Sequence, residues 1–334
     1  MSTQVNNHRA LITGSAGQDA AWLARFLLDK GYVVFGFDVA PWNDWRIKEL
    51  GIDRHVHFTG GDVLDMGTVI SALRDCEPDE VYHLASQSFV ATSFGQPVAA
   101  AYNTGVGTIN VLEACRHVRP QARIYNAATS ELFGNGSHRI MNENTPMNPQ
   151  SPYAIAKMMG YLTAKLYRQA YGMFVVNGIL FNHEGTLRGT EFVTRKVSIA
   201  VARIGLGMVD KLSLGNLDAM RDWGNAPDYV ESMWLMLQQD TPKDYVIASG
   251  EAYSVRDLCR LAFECVGLDW TIHVETAKEH LRPMDVSYLC GDASLAREEL
   301  GWEPKVKFHQ LVELMVTADL RRLSNAHRST WGIQ

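Results

Sequence analysis

Residues 9–38 read "RALITGSAGQDAAWLARFLLDKGYVVFGFD", and the order of elements in this stretch decides the fold. The apolar run in "RALITG" predicts a buried strand. In "DAAWLARFLLDKG" the apolar residues recur at helical spacing and stop at Gly31, and "YVVFGFDV" predicts a second strand. Between the first strand and the helix lies Gly14-Ser15-Ala16-Gly17, with Ala20 where a third glycine would stand. Such a turn lets the backbone approach a pyrophosphate, whose charge is met by the helix N-terminus. Glycine-rich turns are common; the position between an apolar strand and a helix is what points to a dinucleotide. Gly14, Gly17, Gln18 and Asp19 are therefore candidate cofactor contacts.

Asp38 ends the second strand, where the ribose-binding acid of such folds lies. A carboxylate there accepts hydrogen bonds from both ribose hydroxyls and repels a 2′-phosphate, which favours NAD over NADP; a solvated strand-end acid is the plainer reading. Arg46, in "NDWRIK", could fold back onto a phosphate and keeps NADP open. Asp62, in "TGGDVLD", is a candidate adenine-edge contact together with Val63, with a solvated turn acid as the alternative.

Further strands are predicted at "HVHFTG", "EVYHLAS", "ARIYNAA" and "FVVNGILF", each separated by a helix-like segment. Strand–helix alternation implies an α/β fold, a doubly wound parallel sheet with helices on both faces. Beyond about Phe181 the rhythm breaks into loop-rich stretches, "RGTEF", "LGNLDAMRDWG" and "RPMD". One more strand, "DYVIASG", and a helix, "SVRDLCRLAF", capped by Ser254 with Asp257 in its first turn, follow. The expected division is a dinucleotide-binding domain over 1–182, with a returning segment at about 222–252. A smaller, interleaved substrate domain takes 183–221 and 253–334.

The 334 residues are 46% hydrophobic and 20% charged with a net charge of −6, an ordinary globular balance with both signs interspersed. That argues against nucleic acid or a membrane surface as the main partner. Neither a signal-peptide pattern nor an apolar run of membrane-spanning length is present, so a cytoplasmic protein is expected. The five cysteines are scattered without a C-x-x-C, which reads as free thiols in a reducing compartment and no metal site.

Two stretches carry chemistry. "SPYAIAK" puts Tyr153 and Lys157 four residues apart, on one helix face, with Pro152 suited to the first turn. A free tyrosine titrates near ~10, too high for a base at neutral pH. A neighbouring ammonium and a positive nicotinamide ring are expected to pull that value down, so that Tyr153 takes a proton from a sugar hydroxyl while hydride leaves the same carbon. In "YNAATSELFG" a strand ends in Thr129 and Ser130, and is followed by a carboxylate, Glu131.

The loop, Thr129-Ser130, Tyr153 and Lys157 resemble the extended short-chain dehydrogenase/reductase family. "TSELFG", "SPYAIAK", "NGILFNHE", "RGTEFVTRK", "LGNLDAMRDWG", "DYVESMWLMLQ" and Arg282-Pro283 resemble, nearly end to end, its GDP-mannose dehydratase branch. The resemblance implies oxidation at C4 of the sugar, loss of water across C5 and C6, and return of the hydride to C6. It assigns Glu131 as base and then acid, Thr129 as a hydrogen bond to the C4 oxygen, and Tyr153 as oxidising base. It also places Leu84, Ala85, Ser86, Ser88, His183 and Arg188 near the cofactor. Ser88, Glu131, Asn182, Lys196, Arg221 and Arg282 would face the GDP-sugar, and a homodimer or homotetramer is implied. The family's paired arginines after the second strand, which hold the 2′-phosphate of NADP, are missing here. Ser86, Ala128 and "NHEGTLRG" also depart from the usual wording. A GDP-sugar keto-reductase or epimerase is the alternative on the same scaffold, and a non-catalytic dinucleotide sensor is a third reading.

Overall fold

The computed structural model describes residues 8–136 and 139–330. Its strands are β1 (Arg9–Thr13), β2 (Val33–Asp38), β3 (Val56–Gly60), β4 (Glu80–His83), β5 (Arg123–Ala127), β6 (Val175–Leu180) and β7 (Asn182–Glu184). They continue as β8 (Leu212–Leu214), β9 (Met220–Asn225), β10 (Tyr245–Ile247), β11 (Ala252–Ser254), β12 (Val274–Thr276) and β13 (Tyr288–Leu289). All seven strands expected from sequence meet in one parallel sheet of order β10-β6-β5-β4-β1-β2-β3. Its strands β4 and β6 are buried along their whole length, as in a sheet covered on both faces, with polar Glu80, His83 and Asn177 among the buried residues.

One face of the sheet is covered by the helices Gln18–Asp29 and Ala226–Leu237, meeting through Leu23, Leu27, Met233 and Leu237. The other is covered by Met66–Cys76, Gly107–Val118 and Pro152–Tyr171, with Leu73, Val111, Leu112 and Ala164 in the seam. Each fully buried Leu or Val contributes about 1.5–3 kcal/mol of transfer free energy. β1 has β2 on one side and β4 on the other, so the winding reverses there, and a crevice opens beyond the strand ends.

The chain leaves the sheet at Phe181 and at once enters β7, which pairs with β9 of a second, smaller sheet. The stretch "MRDWGN", loop-like in sequence, is that sheet's hub: β9 also pairs with β11 and β13. Trp223 on β9 stacks on Phe308 at 5.3 Å, within a core formed by the helices Val193–Gly205, Val255–Glu264 and Phe308–Thr330. Ser254 and Asp257 form the expected reciprocal cap. The buried carboxylate of Asp222 accepts from the amides of Ser249, Gly250 and Gly291, pinning the β10–β11 connection and the segment after β13 to β9. Among the described residues, no helix is long and apolar enough to cross a membrane. All five cysteines are free.

Candidate active site

The crevice is a cavity of about 470 Å³ beyond the C-terminal ends of β4, β5 and β6. Thr129, Glu131, Tyr153 and Lys157 all line it, although each side chain is buried. Local sequence explains their placement. Thr129 caps the short 3₁₀ turn Ser130–Leu132, its Oγ1 accepting the Glu131 amide at 3.3 Å, so the chain turns directly after β5 and carries the carboxylate inward. Ser151 caps the Pro152–Tyr171 helix through the Ala154 amide at 3.1 Å, with Pro152 in the first turn, which fixes where Tyr153 and Lys157 begin.

The electrostatics differ from the sequence expectation at one point. Burial pushes the Tyr153 phenol up to about 12; a Thr129 hydrogen bond and the Arg188 charge pull it down, while Glu131 and Asp19 push it further up. Lys157 gives its ammonium to the Ala127 carbonyl at 2.7 Å, and burial brings it down to about 8. The lysine is thus held beside the site by the backbone, and burial, rather than the lysine, sets the direction of the tyrosine shift.

At the glycine turn, Gly14 has φ of +74°, and an added Cβ would lie 2.7 Å from the Ala85 amide nitrogen. Only glycine fits this backbone against the β4 loop. Gly17 caps the Gln18–Asp29 helix without any side-chain partner, leaving the first-turn N–H groups free, and the buried Ser15 Oγ has no partner. A dinucleotide pyrophosphate fits these donors. Asp38 Oδ2 accepts the Ala16 amide and Oδ1 the Ala40 amide, both at 3.0 Å, so this acid braces the turn. Arg46 donates to the carbonyls of Ala16 and Leu187, both at 2.7 Å. Asp62 is exposed and closes its own turn onto the Leu64 amide at 2.9 Å, with Val63 buried beside it. Leu84, Ser86 and Ser88 line the cavity; Gly14, Gly17, Gln18, Asp38, Asp62, Val63 and Ala85 do not.

Asp19 and His183, each read from sequence as a cofactor contact, hold one another. His183 Nε2 lies 2.8 Å from Asp19 Oδ2, and its Nδ1 lies 2.7 Å from the Phe181 carbonyl. Both ring nitrogens therefore donate, which defines an imidazolium. It stacks on Tyr229 at 4.7 Å. Burial works against both charges, yet the pair holds Asp19 down at about 2 and raises His183.

The same cavity is lined by basic side chains, Lys196, Arg221 and Arg282. Arg221 is buried, and the carboxylates of Glu131 and Asp285 both face it. Asp285 Oδ1 accepts from Arg221 at 3.1 Å and lies 3.5 Å from Arg282. Asn182 lines the cavity with a buried, unpartnered Oδ1, and Lys196 is exposed on the rim, in the first turn of the Val193–Gly205 helix. The Arg188 guanidinium lies 3.5 Å over the Phe192 ring, its Nε 2.9 Å from Glu184. Asp285, which joins the two arginines, was missed in the sequence. Its signal was an acid three residues beyond Arg282 in "RPMD".

A family model described as GDP-mannose 4,6 dehydratase matches residues 11–315. GDP-mannose 4,6 dehydratase 1 of Arabidopsis thaliana is 45% identical over 325 residues, covering 93% of this chain and 89% of that protein. GDP-mannose 4,6-dehydratase of Yersinia enterocolitica is 40% identical over 352 residues, 94% of each chain. The solved UDP-glucose 4-epimerase of Thermus thermophilus, in complex with NAD, matches with a TM-score of 0.82 at 26% identity, over 93% of this chain and 98% of that one.

Proposed function

Since the chain belongs to the GDP-mannose 4,6-dehydratase family, we propose a division of labour among the residues that meet in its cavity. The enzyme is a lyase that converts GDP-mannose to GDP-4-keto-6-deoxymannose and depends on a nicotinamide dinucleotide. A dinucleotide held at the Gly14–Gly17 turn would supply the hydride acceptor for C4 and the hydride donor for C6, with no net consumption of the cofactor. The chain's own task is to move protons. Tyr153 takes the proton of the C4 hydroxyl, with Thr129 bonded to the same oxygen. Glu131 takes the proton at C5, made acidic by the new ketone, and delivers it to the C6 hydroxyl, which departs as water. Atom balance then requires a proton back at C5, and Tyr153 holds the one removed from the C4 oxygen. Burial raises the Tyr153 phenol, and a positive nicotinamide ring, when bound, would offset that rise.

The single observation that carries this reading is that Glu131, Tyr153, Arg221 and Arg282 all line one cavity, with Asp285 joining the two arginines and the Glu131 charge felt at Arg221. Paired guanidinium forks suit a diphosphate, and a sugar attached to it would lie in the same cavity as the two proton carriers. Asn182 and Lys196 complete the GDP-sugar contacts, and Ser88 sits where cofactor and sugar meet. NAD is the cofactor we favour. Asp38 is braced at the ribose position, no arginine pair follows β2, and Arg46 is bound to two carbonyls. The dinucleotide is held by residues 1–182 with the returning 222–252, and the GDP-sugar largely by the remainder.

We further propose a homodimer. Ile155, Met159, Leu162 and Leu166 form an exposed apolar stripe on the Pro152–Tyr171 helix, 59%, 38%, 55% and 55% accessible, with Val98 and Tyr102 also exposed on the helical segments packed beside it. A second copy of the same stripe is its natural cover. Five free thiols, four of them buried, suit the cytoplasm.

The test is the product. Purified protein given GDP-mannose with NAD, or with NADP, is expected to release a nucleotide sugar lighter by one water, faster with NAD. Unchanged mass, or stoichiometric consumption of reduced cofactor, contradicts the assignment.

A further inference from the structure

His83 ends β4 deep behind the cavity, and no step of the reaction uses it. Its ring lies between two buried threonine hydroxyls, with Nδ1 2.8 Å from Thr13 Oγ1 and Nε2 3.0 Å from Thr108 Oγ1. The proton positions follow from the neighbours. Thr108 Oγ1 lies 2.7 Å from the Thr104 carbonyl, which can only accept, so the single Thr108 proton goes there. His83 Nε2 must then be the N–H that donates to Thr108. Thr13 Oγ1 accepts the Ala85 amide at 3.3 Å, and its own proton is left for Nδ1. Each group makes the bonds available to it only if the ring is neutral with its hydrogen on Nε2. Burial, helped by the nearby Lys157 charge, brings His83 down to about 3, in keeping with that state.

The chain of bonds runs from the turn-wide π-helical segment Ala101–Val106, which carries Thr104, through His83 to β1 and on to the Ala85 backbone. Ala85 is the point on which Gly14 closes, with no room there for a Cβ. Thr104 Oγ1 also meets Ser86 Oγ at 3.2 Å, so both ends of the chain reach the same loop, residues 84–86. We propose that His83, as the neutral Nε2–H tautomer, is a positioning residue that sets the gap between the glycine turn and the 84–86 loop, and thereby the affinity for the dinucleotide. This rests on the cofactor reading of those two loops but not on the identity of the sugar.

The two amide replacements separate its two contacts. His83→Asn keeps an acceptor where Nδ1 stands, toward Thr13; His83→Gln keeps a donor where Nε2 stands, toward Thr108. Titration with NAD is expected to show a dissociation constant raised on the order of ten-fold in His83→Gln, the effect of one buried hydrogen bond, and raised less in His83→Asn. The GDP-mannose KM is expected to stay unchanged in both. Thr13→Val, which keeps the shape but removes the hydroxyl, is expected to match His83→Gln. In the wild-type enzyme, ¹⁵N spectra of the His83 ring should read neutral Nε2–H from pH 6 to 9. NAD affinity unchanged in the glutamine and valine variants, equal losses in Asn and Gln, or a ring that carries its hydrogen on Nδ1 or is cationic at neutral pH would each overturn the proposal. If NAD binds none of the proteins, wild type included, the cofactor reading fails; if wild type binds and the variants behave as stated, both stand.

Discussion

The 2.8 Å pair between Asp19 and His183 makes a pH dependence that follows from two shifts of opposite sign. Asp19 falls from an ordinary 3.8 to about 2, so its contribution to stability is present above pH 3.8 and is lost as pH drops toward 2. His183 is raised above its ordinary 6.5, so its contribution is complete below 6.5 and is lost as pH rises through the higher folded value. The pair therefore supports the fold most between roughly pH 4 and 6.5. The thermal midpoint of the wild-type protein should fall on going from pH 6 to 9 by more than that of Asp19→Asn, whose histidine has lost its anion. Parallel slopes in the two proteins contradict the paired imidazolium. Both residues were visible in sequence, one by its place at the helix start and the other by resemblance. Their pairing was not, because Asp19 and His183 lie far apart in the chain and meet only when β7 leaves the main sheet. The direction of the Tyr153 shift was hidden for a related reason: Lys157 is a spacing in the sequence, whereas burial is a property of the packed molecule.

Helix Gln18–Asp29 and the segment after β7 show how one changed residue alters a contact between elements. Gln18 Oε1 and Trp22 Nε1, one turn apart on that helix, are buried without partners, and both face Gly185. A Cβ built at Gly185 lies 3.4 Å from the first and 3.8 Å from the second, at ordinary contact distance. Gly185→Ser should therefore be accepted, its hydroxyl accepting from the indole and donating to the amide. The substitution also restricts the unfolded chain, and a gain of about 0.5–1.5 kcal/mol is expected, read as a higher thermal midpoint. A lower midpoint means that the space is already filled to better effect. Elements were clearest in sequence where a single periodicity ruled. The seven strands of the main sheet and the Ser254–Asp257 cap follow from local pattern alone. β9 was read as loop because it shows no apolar alternation: Arg221, Asp222 and Trp223 are consecutive and all buried, beside partners from β7, β11 and β13.

For the whole molecule, the fold brings nucleotide and sugar chemistry together by passing from β6 to β7 within one residue, so one chain segment belongs to both sheets. In the homodimer proposed above, the exposed stripe on the Tyr153 helix would link that site to assembly. Leu162→Glu combined with Leu166→Glu changes only exposed positions, so folding should survive while light scattering shows the mass fall to that of one chain; an unchanged mass excludes this face as the interface. The account as a whole depends on the borrowed hydride being returned only after Glu131 has carried a proton from C5 to the C6 oxygen. The direct measurement is nicotinamide absorbance during a single turnover of GDP-mannose by wild type and by Glu131→Gln. Wild type should show no lasting change, whereas Glu131→Gln should accumulate reduced dinucleotide, with water loss slowed by roughly 10²–10⁴. Dehydrated product formed by Glu131→Gln at the wild-type rate, with no build-up of reduced dinucleotide, would contradict it.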